Sequence, residues 1–463
     1  MTVATTAVSR SPLAKWAAQR VGVAEDSLTW ESIRDYQLLA IRQTASWARQ
    51  NSPFYATQLA GFPREWPSSL DDFTSSPFTS QTDISLRGPE FVCVPQSEIS
   101  RIVTLETSGT TGDRKRIFFA AADQELALDF FAHGIKSMAS SGDRMLIALP
   151  SEREGSVGHQ LARGITFAGV MPIPHGLITD ISSTLARMDK ERATLLIGLP
   201  VQVLALALDD SEVARRVFRR VHTIVLCSDH VPRSLVNRIR RETGCTIFEH
   251  YGSTEMGLGG GIECHVHSGY HLRDADLYFE VVSPKTGKPL CDGETGEVVF
   301  TTLGRVGMPL IRYRTGDLGR IEPCPCSCGL PLRRLAHIEN RIDSAVNLGP
   351  TGSIAISALD EALFAVPELL DFSATLRWGE PNQLEIHVYA PRAGEAFASE
   401  VENVLAELAG IAENTTIGAL RLIVAMQDKP FPMTGAKRRI TLTRGENVSA
   451  RSLQHVEEAH SLS

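Results

Sequence analysis

No apolar run in this 463-residue chain approaches the roughly 20 residues that a bilayer-spanning helix needs, which excludes a helical membrane protein. There is no excess of positive charge either. Lys and Arg number 46 against 54 Asp and Glu, a net charge of −8, so the chain is no general nucleic-acid or anionic-membrane binder. Low-complexity tracts and internal repeats are missing, which excludes disordered and solenoid classes. Paired C-x-x-C units are missing, so a zinc ribbon is excluded. A G-x-x-x-x-G-K-[ST] loop is missing, which disfavours a P-loop kinase. No Ser-His-Asp or Cys-His arrangement has supporting context. The first 24 residues lack any acid and carry Arg10, Lys15 and Arg20. That composition is found in transit peptides, but the expectation is a tail leading into a helix, no secretory leader, and a cytoplasmic protein without a disulfide framework.

The remaining composition is that of an ordinary globular protein, with 43% hydrophobic and 22% charged residues. At about 150 residues per domain the length implies roughly three domains or subdomains. Residues 30–50 read as an amphipathic helix, followed by a Pro-, Ser- and Thr-rich stretch from Ser52 to Thr82. From Met145, short apolar runs (MLIAL, VMPIP, TLLIGLP, HTIVLCS, TIFEHYG) are separated by helix-length segments, which implies parallel pairing and an α/β core. Between Tyr278 and Ile321 the runs are strands parted by turn signals, a β-rich subdomain. PCPCSCG marks a compositional break. Beyond Asp343 come a helical stretch (Ile354 to Phe364), the strands FSATLRW and LEIHVYA, a helix near Ala396–Leu408, and the strand LRLIVAM. The expected fold class is α/β: a large N-terminal body of residues 1–342 and a small, mobile α+β lid of residues 343–463.

The segment Thr107-Ser-Gly-Thr-Thr-Gly-Asp-Arg-Lys115 pairs two glycines, which let backbone approach a ligand, with hydroxyls and cations suited to phosphate oxygens. By itself it also reads as an ordinary loop. Three other segments accompany it. Tyr251-Gly-Ser-Thr-Glu255 follows an expected strand, where ligands gather in open α/β sheets. Tyr313-Arg-Thr-Gly-Asp317 lies in the β-rich subdomain, and Pro432-Met-Thr-Gly-Ala-Lys437 near the chain's end. In this order and at these intervals the four resemble the adenylate-forming superfamily of acyl-CoA synthetases and adenylation domains. SVGHQLARGITFAGVMPIP, GIECHVHSGYHLRDADLYFEV, the C-x-C-G run and YQLLAIRQTASWARQNSPFY resemble its phenylacetate–CoA ligase-like branch. The likeness runs from about Leu28 to Arg444.

The resemblance implies roles for individual residues. Thr107, Ser108, Gly109, Thr110, Gly112 and Lys115 would hold the ATP phosphates, while Thr111 and Glu255 would coordinate Mg²⁺. Tyr251, with Gly252, Ser253 and Thr254, would flank the adenine opposite Ser228 and Asp229. Asp317 would accept hydrogen bonds from the ribose hydroxyls. Arg341 and Asp343 match the R-x-D of a hinge motif, Arg341 at the nucleotide and Asp343 as pivot. Lys437 would stabilise charge at the α-phosphate as pyrophosphate leaves. Lys437, Arg438 and Arg439 also read as a solvated basic run. Cys264, His271, Cys326 and Cys328 match positions implied to hold a structural Zn²⁺. Spacing fixes only the C-x-C-G pair, so Cys324, His265 and His267 compete, and free buried thiols are the alternative. His159 and His250 either touch substrate or are satisfied structural histidines.

Several positions depart from the pattern. Asp113-Arg114 stands where a proline is usual, CSDHVP replaces G-A-E-P-W, and Asn340 and Ser344 replace a glycine and an acid at the hinge. PTGSIAIS beyond Gly349 replaces the G-x-N-x-x-P run that lines a pantetheine tunnel, which bears on the acceptor. The expected activity is ATP-dependent activation of a small carboxylic acid to an acyl-adenylate, with pyrophosphate release, then thioester formation with CoA. An aromatic acid is expected because Gly257–Gly261 would leave a flat slot. The alternatives are transfer to an amine or a carrier-protein thiol, and a degenerate nucleotide-binding protein without ligase activity. No nucleic-acid or membrane partner is expected, and a homodimer is admitted.

Overall fold

The computed structural model of the protein describes residues 11–106, 114–432 and 437–444. Its contacts divide the chain into two units. One comprises Met1–Gly176, Ala193–Leu196 and Phe248–Ile338; the other comprises Leu177–Arg192, Ile197–Ile247 and Glu339–Ser463. The second unit thus begins its last segment near the break expected at 342 and also includes two segments of the expected N-terminal body.

In the first unit the expected amphipathic helix spans Trp30–Asn51. Thr29 and Ser32 start it with a reciprocal capping box, each side chain accepting from the other's backbone N–H. Ile33, Gln37, Ala40, Ile41, Thr44, Ala45 and Ala48 form its buried stripe at three- and four-residue spacing. The strands Arg144–Ala148 and Met171–Pro174 pair in parallel, with the helix Val157–Thr166 between them in sequence. The β-rich region is an antiparallel run of Leu277–Val282, Gly296–Thr302 and Tyr313–Gly319. A further antiparallel group joins Thr246–Tyr251 to Gly261–Glu263, then Tyr270–Leu272, then Arg334–Leu335. Ile99–Glu106 and Arg114–Ala120 form a hairpin whose last pair is Glu106 and Arg114, so it brackets the expected phosphate loop.

The second unit carries the buried strand Thr223–Leu226 and the helices Pro200–Ala207 and Arg233–Thr243. It also carries a four-stranded sheet in the order Leu420–Met426, Asn382–Tyr389, Asp371–Trp378, Ile440–Arg444. Alternate residues of its central strands are buried and face one another as Phe372–Val388, Ala374–Ile386 and Leu376–Leu384. The expected helix from Ile354 is shorter, Ile356–Leu363, because Ser353–Ala355 pairs as a strand with Ala345–Asn347. No helix among the described residues is long and apolar enough to cross a membrane.

Candidate active site

Period-two alternation on Arg114–Ala120 turns Arg114 and Arg116 outward and Lys115 inward. The Lys115 ammonium forms an ion pair with Glu255 Oε1, with both side chains only 8% exposed. Tyr313 OH closes the cluster: it donates to Glu255 Oε1 at 3.0 Å and accepts from Lys115 Nζ at 3.3 Å. Burial pushes the Glu255 carboxyl up, but the Lys115 charge and these hydrogen bonds outweigh it and hold the group below its usual range. Arg305 donates from Nη1 to the Glu255 carbonyl at 2.8 Å and fixes the backbone there. Tyr313 and Arg305 were missed as site residues by sequence reasoning. Tyr313 opens a quoted motif, and that was the available signal.

The motif Tyr251–Glu255 leads from a strand into a tight return. The Leu258 N–H donates to the Ser253 carbonyl at 2.8 Å and the Gly260 N–H to the Tyr251 carbonyl at 2.9 Å. Ser253 Oγ accepts from the Met256 N–H, and the Gly257 N–H from 3.0 Å reaches the Thr254 carbonyl. A Cβ on Gly252 would stand 2.3 Å from the Leu258 carbonyl oxygen, so only glycine fits. Tyr251 OH donates to Asp317 Oδ2 at 2.8 Å, and its ring stacks on Tyr270 at 5.8 Å. The expected flat slot at Gly257–Gly261 is not open. A Cβ at Gly259 would meet Phe130 at 2.7 Å, and one at Gly260 would meet Met256 Sδ at 2.6 Å, so these glycines admit close packing. His159 Nδ1 accepts from the Gly155 N–H at 3.2 Å, a structural role. His250 Nε2 is buried without a hydrogen-bond partner among the described residues, and burial pushes the ring down to about 4.

In the second unit Ser228 has φ 75°, and Asp229 follows it. Asp229 Oδ1 accepts from the His230 N–H at 2.9 Å and Oδ2 from the Arg438 N–H at 3.2 Å, while burial pushes its carboxyl up. Arg341 Nε lies 3.4 Å from Asp343 Oδ1 in a turn closed by the Ser344 hydroxyl, which donates to the Arg341 carbonyl at 2.8 Å. Lys437 is exposed. Thr107, Ser108, Gly109, Thr110, Thr111 and Gly112 lie outside the described residues.

Cys264, His271, Cys326 and Cys328 come together as the resemblance implied, with their ligand atoms all within 4.8 Å of one another. Cys264 Sγ lies 3.7 Å from Cys326 Sγ, and Cys328 Sγ lies 3.2 Å from His271 Nε2. Two tetrahedral zinc–sulfur bonds of about 2.3 Å place their sulfurs about 3.8 Å apart. His271 Nδ1 faces the Leu332 carbonyl at 3.3 Å, which leaves Nε2 for the cluster. The Cys264 thiol is held far below its ordinary range, chiefly because the Cys328 thiol donates to it. The competing ligands lie elsewhere: Cys324 and His265 are exposed, and His267 Nδ1 meets Glu263 Oε2 at 3.3 Å. A second group, Glu249, Glu263 and His337, was missed because its members are far apart in sequence. His337 Nε2 lies 2.8 Å from Glu263 Oε1, and Tyr270 OH donates to Glu249 Oε2 at 3.1 Å.

The family described as AMP-binding enzyme matches residues 74–304. Phenylacetate-coenzyme A ligase of Pseudomonas putida is 26% identical over 379 residues, 77% of this chain and 82% of that one. The protein of the same name from Thermus thermophilus is 26% identical over 402 residues, 81% of this chain and 85% of that one. Among solved structures, 2-hydroxyisobutyryl-CoA ligase in the postadenylation state in complex with 2-HIB-AMP has the same fold. The TM-score is 0.74 at 21% identity, covering 94% of this chain and 92% of that one.

Proposed function

We propose that the chain is a member of the adenylate-forming superfamily, in its phenylacetate–CoA ligase-like branch, and that it uses ATP to convert a carboxylic acid to an acyl-adenylate and then passes the acyl group to CoA. The observation that carries the reading is the meeting, within one unit, of the Lys115–Glu255–Tyr313 cluster and the Tyr251–Asp317 pair. In the first half-reaction a carboxylate oxygen attacks the α-phosphorus, and the bond to the pyrophosphate oxygen breaks. Both partners are anions, so the step depends on positive charge and alignment more than on a strong nucleophile. Lys115 and the 107–112 loop take up phosphate charge. Glu255, a buried oxygen donor suited to a hard cation, would with Thr111 hold Mg²⁺, which would supply positive charge to the phosphates. Asp317 accepts the ribose hydroxyls, and its bond to Tyr251 ties the ribose site to the wall against which adenine stacks.

Lys437, carried on a lid of residues 343–463 that turns about Asp343, stabilises charge at the α-phosphate as pyrophosphate leaves. The thiolate of CoA then attacks the acyl carbonyl and AMP departs. Three thiols and an imidazole at these separations suit Zn²⁺, which Cys264, His271, Cys326 and Cys328 would hold as a closed staple. An aromatic acid is the proposed substrate, by analogy with the phenylacetate ligases. The test is pyrophosphate release with Mg·ATP across aryl, heteroaryl and aliphatic acids, with and without CoA, beside Lys437→Ala. Acid-dependent release that CoA accelerates and the variant loses is the expected result. Release indifferent to CoA but accelerated by an amine or carrier thiol would change the acceptor. No release with any acid would overturn the reading.

A further inference from the structure

The run Lys437-Arg438-Arg439 is not a uniform solvated face. Lys437 and Arg439 are exposed, while the Arg438 side chain is 17% exposed and fully engaged. Its Nε donates to Asp360 Oδ1 at 2.9 Å, Nη1 to Asp371 Oδ1 at 2.6 Å, and Nη2 to the Phe372 carbonyl at 3.0 Å. The guanidinium also lies over the Phe372 ring at 4.3 Å. Its backbone N–H donates to Asp229 Oδ2 at 3.2 Å, and Asp229 feels the charge of Lys437. The Arg438 backbone is therefore held from two sides, one residue after the lysine.

Buried ion pairs of this kind add little net stability, because desolvation offsets the Coulomb attraction. Here the desolvation is conspicuous. Asp360 is 1% exposed, and its second oxygen accepts no hydrogen bond among the described residues. Burial pushes its carboxyl up to about 7. A cavity of about 90 Å³ adjoins the group, lined by Pro200, Asp229, Asp360, Phe364, Pro432 and Arg438. An arrangement that stabilises weakly but fixes a backbone in three dimensions is suited to placing what that backbone carries. Resting on the ligase reading above, we propose that Arg438 is a positioning residue for adenylation: its clamp on Asp360, Asp371 and Asp229 sets the point from which Lys437 reaches the α-phosphate.

The role predicts a split between half-reactions, because Lys437 serves the departure of pyrophosphate and not the attack of the thiol. Adenylation is followed by pyrophosphate release, and thioester formation by adding CoA to chemically prepared acyl-adenylate. For Arg438→Met, kcat for adenylation falls about a hundredfold, the loss that a displacement of about 1 Å produces. KM for ATP and the rate of thioester formation stay within about twofold. Arg438→Lys, which keeps the charge but loses the fork, recovers part of the rate. Asp371→Asn, at a partner whose side chain is 21% exposed, lowers adenylation several-fold with the same split. If Arg438→Met and Asp371→Asn retain wild-type adenylation, or if both half-reactions fall alike, the positioning role is overturned. Wild-type protein that releases no pyrophosphate with any acid overturns the ligase reading itself, and the role with it.

Discussion

Lys115→Met should be among the most damaging single substitutions in the first unit, and the reason can be tested apart from activity. The change removes the ion-pair partner of Glu255 and leaves a carboxylate whose side chain is 8% exposed, with the Tyr313 hydroxyl still donating to it and Arg305 bound at its backbone carbonyl. Removing one member of a buried pair costs about 3–5 kcal/mol, because the other charge stays desolvated. At about 2 °C per kcal/mol for a unit of this size, the melting temperature falls by roughly 6–10 °C. Glu255→Leu should cost a similar amount by stranding the lysine. The double variant Lys115→Met/Glu255→Leu removes both charges. Its loss should be smaller than the sum of the two by at least about 2 kcal/mol, or about 4 °C. The sign of the pH dependence is also set. Glu255 sits below its ordinary value in the fold, so the pair's contribution persists above the ordinary glutamate value of about 4.3 and is lost as acidification passes below it. Differential scanning calorimetry of the three variants at pH 7 measures the cycle. Strictly additive losses would refute the pairing argument.

Asp123 binds three backbone N–H groups, those of Ala120 at 2.9 Å, Val306 at 2.8 Å and Gly307 at 3.0 Å. Asp123→Ala leaves them without this acceptor, and calorimetry should show a loss of at least about 3 kcal/mol at about 1–3 kcal/mol per buried group. Gly252→Ala places a methyl 2.3 Å from the Leu258 carbonyl oxygen, so the return after Tyr251 must shift. ATP affinity by isothermal titration should fall at least tenfold, and unchanged affinity would remove that return from the nucleotide site. Purified protein should contain about one equivalent of zinc by elemental analysis, and Cys328→Ser should bring it below about a tenth, as closed structural sites stay filled only with a full donor set.

Much of the architecture was legible because it depends on local periodicity. The stripe from Ile33 to Ala48, the strand around Met145, and the alternating strands from Phe372 and Leu384 bury what their spacing says they should, while on the strand around Ile173 both Met171 and Pro174 are exposed. The site was legible only as far as motifs carry it. Lys115, Glu255 and Tyr313 sit in three separate quoted segments, and nothing in any one segment says that they share one hydrogen-bonded cluster. Gly259 and Gly260 were misread as making space, when Phe130 and Met256 fill that space from elsewhere in the fold. The alternative of a solvated run fails at Arg438, whose acidic partners lie 67 and 78 residues away in sequence and so leave no local signal.

The hairpin between Gly261 and Leu272 links the thiol cluster to the Tyr251 ring. Glu263 stands directly opposite Tyr270, and Ile262 opposite His271. Adjacent residues on a strand point to opposite faces, so His271 turns toward Cys328 while Tyr270 turns the other way. On that other face Tyr270 donates to Glu249 and stacks on Tyr251, whose hydroxyl holds Asp317. A cluster that ties Cys264 and His271 to the distant Cys326 and Cys328 therefore fixes the same two short strands that back Tyr251. Strands of three residues have few ladder bonds of their own, and their register is weakly specified without such a tie. The cluster can thus set how firmly the Tyr251 ring is held.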